Sequence, residues 1–351
     1  MMKYVVLIVV LIVGGVYLFL PYNNEGVLKH IEASASNTLE KGEQLPAQNG
    51  AELVKQPLQN GETQRVKDAE TTDLSKAEVI KGIDALITSI IGNNEIDFEL
   101  EKSIVAYLKS NDDYEVYHHL LELLNEAMLG TKTGDRLTEY CLSLLAAVGT
   151  ISSTELILKV VNEKDWEGSE AVYLVNKAVS SLNRDGEHTT LIEQAFTQSS
   201  DGNPYLTEIA ANIAKHAQVE QITYLFSFIE DGSSSKDIVA SNAMSRVQNE
   251  SLVPAITEYL TDNNPQKVDV ALSSLANMGQ YEAASSLIAW SATQSIEETS
   301  KVASLFDIAT RRSPSTARAI KKEASQTQFL SDEVKALVLS YSVDRSLNNA
   351  N

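Results

Sequence analysis

The sequence predicts an all-α protein: an α-solenoid of stacked helical hairpins, preceded by one transmembrane helix and a disordered tether. Three observations carry this. The first is an uninterrupted apolar run at the N-terminus. The second is a polar stretch of about fifty residues in which few apolar residues recur. The third is helical apolar spacing almost everywhere after Thr72, with only 16 glycines and 7 prolines in 351 residues, which argues against strands.

Residues 1–22 form the expected anchor. Tyr4 to Leu20 reads YVVLIVVLIVGGVYLFL, with no charge. At about 1.5 Å per residue it spans roughly 25 Å, the short end of a bilayer core. Pro21 ends it, and Tyr17 and Tyr22 stand where interfacial aromatics belong. A cleaved signal peptide is the competing reading. The apolar run exceeds the usual h-region, and Ala33-Ser34-Ala35 lies too far downstream to serve as its cleavage site. An uncleaved anchor is therefore preferred. Lys3 precedes the span, and Glu25 is the first charge after it. The positive-inside rule then puts the N-terminus in the cytoplasm of a single-pass inner (plasma) membrane protein, and the solenoid on the periplasmic or outer side.

Residues 23–74 read as a flexible linker, rich in Glu, Gln, Asn, Gly, Lys and Thr. Such a segment buries too little apolar area to offset its ordering entropy. Val27, Leu28, Ile31, Ala35 and Leu39 recur at helical spacing, which predicts a short juxtamembrane helix over residues 26–40. The remaining thirty-five or so residues give a reach of roughly 30–35 Å.

From residue 75 to 351 helices follow one another with short polar breaks. Asp73 and Ser75 are the candidate N-caps of the first, whose stripe is Ile83, Leu86, Ile87, Ile90 and Ile91. Repeats of about 32 residues are clearest over 133–325. Gly149 and Gly279 stand four such steps apart, with intermediate breaks near Arg184, Ala217 and Gln248 and another near Arg311. The position eight residues beyond each break is Ile157, Ile192, Leu225, Ile256 and Leu287 in succession. A single hairpin cannot bury its stripe alone, so neighbours must stack. The run Val270-Ala-Leu-Ser-Ser-Leu-Ala-Asn-Met-Gly279, with Ala284 and Leu287, resembles the short bacterial type of HEAT-like repeat. Gly279-Gln-Tyr-Glu-Ala-Ala284 also suits tetratricopeptide repeats, but the other units lack that family's pattern, so the HEAT-like assignment is preferred. Neither resemblance carries catalytic residues.

The net charge is −20. An acidic body repels phosphate backbones, so no nucleic-acid partner is expected, and a basic partner or simple solubility fits better. Cys141 is the only cysteine, which rules out an internal disulfide; within Tyr-Cys-Leu-Ser-Leu-Leu it reads as a buried small hydrophobe. The histidines are His30, His118, His119, His188 and His216. Adjacent helical residues such as His118 and His119 point about 100° apart and do not chelate one ion. No metal or cofactor is expected. No P-loop, G-x-S-x-G, G-x-G-x-x-G or H-E-x-x-H occurs, so no catalytic residue is assigned and a chain without enzymatic activity is expected.

Two surface features remain. Phe228, Tyr259 and Trp290 are spaced by 31 residues, each three positions after its unit's core Leu or Ile. They form either a packing ladder between repeats or an aromatic binding stripe on the concave face. Arg311, Arg312, Arg318, Lys321 and Lys322 form a basic patch, which is either a solvated counterweight or a seat for an acidic segment. The function expected is that of a membrane-tethered protein–protein interaction scaffold or adaptor with a protein or peptide partner. The alternative is an envelope enzyme acting on a polysaccharide or cell-wall polymer.

Overall fold

A computed structural model describes residues 74–342. The anchor and the linker up to residue 73 lie outside the described residues, as does the tail from 343. Among the described residues there are sixteen α-helices and no strand, and no helix is long and apolar enough to cross a membrane.

In chain order the helices are α1 (Lys76–Ile91), α2 (Phe98–Ser110), α3 (Tyr114–Glu126), α4 (Lys132–Val148), α5 (Ile151–Glu163), α6 (Ala171–Ser180), α7 (Thr189–Gln198) and α8 (Leu206–Lys215). They continue as α9 (Val219–Phe226), α10 (Ser235–Met244), α11 (Val253–Thr257), α12 (Pro265–Met278), α13 (Tyr281–Ala292), α14 (Thr299–Arg312), α15 (Pro314–Ala319) and α16 (Asp332–Ser340). Short polar residues start most of them. Ser75 makes a capping box with Glu78, whose carboxylate accepts the Ser75 backbone N–H at 2.8 Å. Asp97, Asp113, Thr131, Thr150 and Asn264 cap α2, α3, α4, α5 and α12 through their side-chain oxygens.

The helices form hairpins stacked in two rows. In the first row α4 packs on α6, α6 on α8, and so on through α10, α12, α14 and α16. In the second, α3 packs on α5 and α5 on α7, then α9 on α11, α11 on α13 and α13 on α15. Tyr224 on α9 ties the two halves of this row by donating its hydroxyl to the Glu193 carbonyl at 2.7 Å. First-row helices begin at Lys132, Ala171, Leu206, Ser235, Pro265, Thr299 and Asp332, about 33 residues per unit. The second-row positions Ile157, Ile192, Leu225, Ile256 and Leu287 are all fully buried. Each is the residue that seals its hairpin against the first row.

The breaks separate two kinds of chain reversal. Gly149 and Gly279 end α4 and α12 in the left-handed conformation, at φ 67° and 60°, which a side chain rarely adopts. Gly279 is further constrained by packing. A Cβ there would sit 2.7 Å from the Arg312 Cβ and 2.9 Å from the Ala309 carbonyl, so this turn approaches α14 too closely for any other residue.

Candidate functional site

The three ladder aromatics lie half-buried on the second row, against the core. Phe228 meets the buried Phe196 ring edge-on at 5.0 Å, reaching one unit back. Tyr259 stacks on the buried Phe226 ring at 3.7 Å, again one unit back. Trp290 lies under the Lys301 ammonium, 5.6 Å from its ring. Each ring therefore has a packed face and an accessible remainder.

The five basic residues are all exposed, around the α14–α15 reversal. Arg311 pairs with Asp307, Arg312 donates to Asn277 Oδ1 at 2.9 Å, and Arg318 donates to Ser315 Oγ at 2.7 Å. Lys322 lies over the Tyr281 ring. His118 and His119 go to different acids: His118 pairs with Glu122, and His119 with Asp84 of α1 at 2.8 Å. Among the described residues no cluster of acids, histidines and cysteine could hold a metal. Cys141 is buried, and burial pushes its thiol up to about 12, so it is neither a nucleophile nor a ligand at neutral pH.

A cleft lies where the first-row helices turn into the second row. Along this edge each turn is tied to the next unit by a hydrogen bond to a turn carbonyl. His188 Nε2 donates to Gly149 O at 3.1 Å; a carbonyl only accepts, so the proton sits on Nε2. Gln280 Nε2 donates to Gln248 O at 2.8 Å, and Thr316 Oγ1 to Gly279 O at 2.9 Å. The middle turn, Lys215 to Gln218, carries no such rung itself, although just before it the buried Asn212 of α8 accepts from the Asn183 N–H at 3.2 Å and donates to the Val179 carbonyl at 2.8 Å. Among the described residues no hydrogen bond joins that turn to the turns on either side. A cleft of about 600 Å³ opens there across three successive turns.

The cleft is lined by Asp185 from the first turn, Lys215, His216 and Glu220 from the second, and Gln248 and Asn249 from the third. His216 Nε2 is shielded from water and has no hydrogen-bond partner. The ring is held by close contact with Gly186, whose missing Cβ would lie 3.3 Å from the His216 Cβ. Asp185, Lys215, Glu220 and Gln248 are exposed. Asn249 uses its Oδ1 to accept from Ser251, which leaves its NH₂ group turned to solvent. No phenylalanine, tyrosine or tryptophan lines the cleft, and its one aromatic ring is the half-buried His216 imidazole. The break at Ala217 is visible in the sequence, but nothing local distinguishes it from the closed ones.

The fold and this edge define an all-α protein of stacked helical hairpins with an open polar cleft. No protein-family model matches the chain, and none of the curated proteins does. Among solved structures, that of human deoxyhypusine hydroxylase in complex with glycerol is similar at 11% identity, covering 75% of this chain and 96% of that one, with a TM-score of 0.25. The matched protein is by its name an enzyme. The expectation of a chain without enzymatic activity is corrected on that finding and withdrawn. At this TM-score the likeness transfers neither activity nor substrate.

Proposed function

We propose that the protein is a membrane-tethered interaction scaffold whose solenoid, of the short HEAT-like type, engages a protein or peptide partner. The observation that carries this is the cleft at the middle turns. Polar groups converge there without partners, on an edge that is otherwise closed by hydrogen bonds between units. Unused donors and acceptors held on rigid helices are what a binding surface requires, because their order is already in place before the partner arrives. The repeat type rests on Val270–Gly279 and on the burial of Ala284 and Leu287. The tether rests on Tyr4–Leu20 and the polar stretch after it.

In this reading the anchor crosses the inner membrane once, with the N-terminus cytoplasmic and the solenoid outside. The linker lets the solenoid search a hemisphere of roughly 30–35 Å. Three measurements on the intact protein test it. It should resist alkaline carbonate extraction from membranes. Protease should digest the solenoid only from the non-cytoplasmic side. Chemical crosslinking in membranes should capture a specific partner that co-purifies with it. Release by carbonate removes the anchor, digestion from the cytoplasmic side reverses the topology, and failure to capture a partner removes the scaffold.

A further inference from the structure

The geometry points to an extended peptide strand bearing basic side chains as the occupant of the cleft formed by Asp185, Lys215, His216, Glu220, Gln248 and Asn249. This rests on the interaction-scaffold reading and names the chemistry of its partner.

The lining excludes other classes in turn. A sugar or a nucleobase is commonly held by stacking, and the one aromatic ring of the lining, His216, already packs against Gly186. A phosphate or sulfate would face two carboxylates with a single lysine to offset them. An apolar ligand would strand the exposed Asp185, Lys215, Glu220 and Gln248 without water. A peptide main chain suits what remains. Its N–H and C=O groups alternate, and a side-chain amide supplies one donor group and one acceptor to meet them. The Gln248 amide and the Asn249 NH₂ group have no side-chain partner among the described residues. Asp185 and Glu220 flank these groups from the two preceding turns, placed to take ammonium or guanidinium groups of the strand's side chains.

Size and charge agree. The cleft crosses three turns, so with helices about 8–10 Å apart it runs roughly 16–20 Å. That is the length of about five or six residues in extended conformation. The chain's net charge of −20 attracts a basic segment from beyond contact distance and raises its association rate.

The test uses the full-length protein in detergent micelles, with a fluorescein-labelled hexapeptide of alternating lysine and glycine read by fluorescence anisotropy. The same peptide with glutamate for lysine is the charge control. Saturable binding of the lysine peptide is expected, with none for the glutamate peptide. The double variant Asp185→Asn/Glu220→Gln should weaken binding about tenfold, and Gln248→Ala/Asn249→Ala about fivefold. The first should not shift the melting temperature, because Asp185 and Glu220 are exposed and make no ion pair among the described residues; the second also removes the Asn249 Oδ1 acceptor of the Ser251 N–H and should lower it slightly, so its affinity is read well below its own melting point. Glu99→Gln/Glu297→Gln removes the same charge from exposed positions elsewhere and should leave affinity within twofold. Equal weakening by the two charge-removing variants means that net charge alone attracts the peptide, and overturns the site. Absence of saturable binding, or equal binding of the glutamate peptide, also overturns it. The scaffold reading is tested separately. If the Asp185→Asn/Glu220→Gln protein still captures the wild-type partner in membranes, the scaffold stands and the peptide site is wrong.

Discussion

The two edges of the hairpin stack are built differently. Where second-row helices return to the first row, buried and half-buried polar side chains stitch the connecting loops, several of them to a neighbouring unit. Asp135 on α4 accepts from the Gly130 N–H at 2.9 Å, the Ser169 hydroxyl at 2.7 Å and the Glu170 N–H at 3.1 Å. Asp237 on α10 accepts from the Glu230 and Gly232 N–H groups at 2.9 and 2.6 Å. Asn203 reaches back to Asn162 Oδ1, and Asn264 to the Glu230 carbonyl, each at 2.7 Å. The opposite edge also buries polar groups, Asn183 with Asn212 and His188 and Thr316 on turn carbonyls, but among the described residues no hydrogen bond joins Lys215–Gln218 to the turns beside it. The stitched edge sets the spacing of the units, because its polar groups are buried and their loss is expensive. The turn edge is free to present a cleft because the spacing is already determined elsewhere.

The largest expected effect breaks the stitched edge by shape alone. Gly134 lies in the first turn of α4 against the loop from α3, and a Cβ there would be 2.0 Å from the Met128 carbonyl oxygen. Backbone faces it on that side, so no side chain can move aside. Gly134→Ala should cost more than about 3 kcal/mol in urea denaturation. A variant as stable as the wild type would show that the α3–α4 loop yields freely, and that this edge does not set the spacing.

Removing charge from the same edge comes next. Asp135 is 6% exposed. Burial pushes its carboxyl up, but hydrogen bonds from Ser169, Gly130, Glu170 and Ala171 together outweigh burial and hold it below the ordinary value. Asp135→Ala leaves those donors without an acceptor and should cost about 2–3 kcal/mol at pH 7. Because the folded value is the lower one, this stabilisation is present above the unfolded value and is lost as pH falls through the folded one. The gap between wild type and variant should therefore be constant from pH 7 down to about 5 and shrink below about 4. A gap that widens on acidification would mean that Asp135 is protonated in the folded state.

Much of the scaffold is legible in sequence because its signals are local. Ile157, Ile192, Leu225, Ile256 and Leu287 announce themselves by their distance from a break, and Gly149 and Gly279 by the conformation that only glycine takes readily. Ser75 and Glu78 form a cap within four residues of each other. The stitched edge is not legible, since Asp135 meets Ser169 and Glu170 only after a full repeat has folded back. By sequence alone it is one more acid in an acidic chain. The cleft is hidden for a related reason: a missing rung is a relation between three turns, and no single residue records it. Phe228 and Tyr259 fall between these cases. Their spacing shows that they are equivalent, but their partners Phe196 and Phe226 sit at different offsets in the preceding units, and only the folded chain pairs them.

The smallest expected effect separates a closed rung from the open gap on the turn edge. Thr316 is fully buried, and its hydroxyl lies 2.9 Å from the Gly279 carbonyl and 3.0 Å from that of Ala309. Thr316→Val keeps the shape and removes the donor, so both carbonyls lose a partner. The Ala309 carbonyl still accepts from the Ser313 N–H, which confines most of the damage to Gly279. A loss of about 1 kcal/mol is expected, the usual worth of one neutral hydrogen bond. It should appear as faster hydrogen exchange in α13 and α15, the helices that the rung connects. The Asp185→Asn/Glu220→Gln protein, altered at the gap, should stay within about 0.5 kcal/mol of wild type, because those exposed side chains hold nothing together. If both proteins lose stability alike, the gap is a structural contact like the rungs, and the turn edge has no surface to spare for a partner.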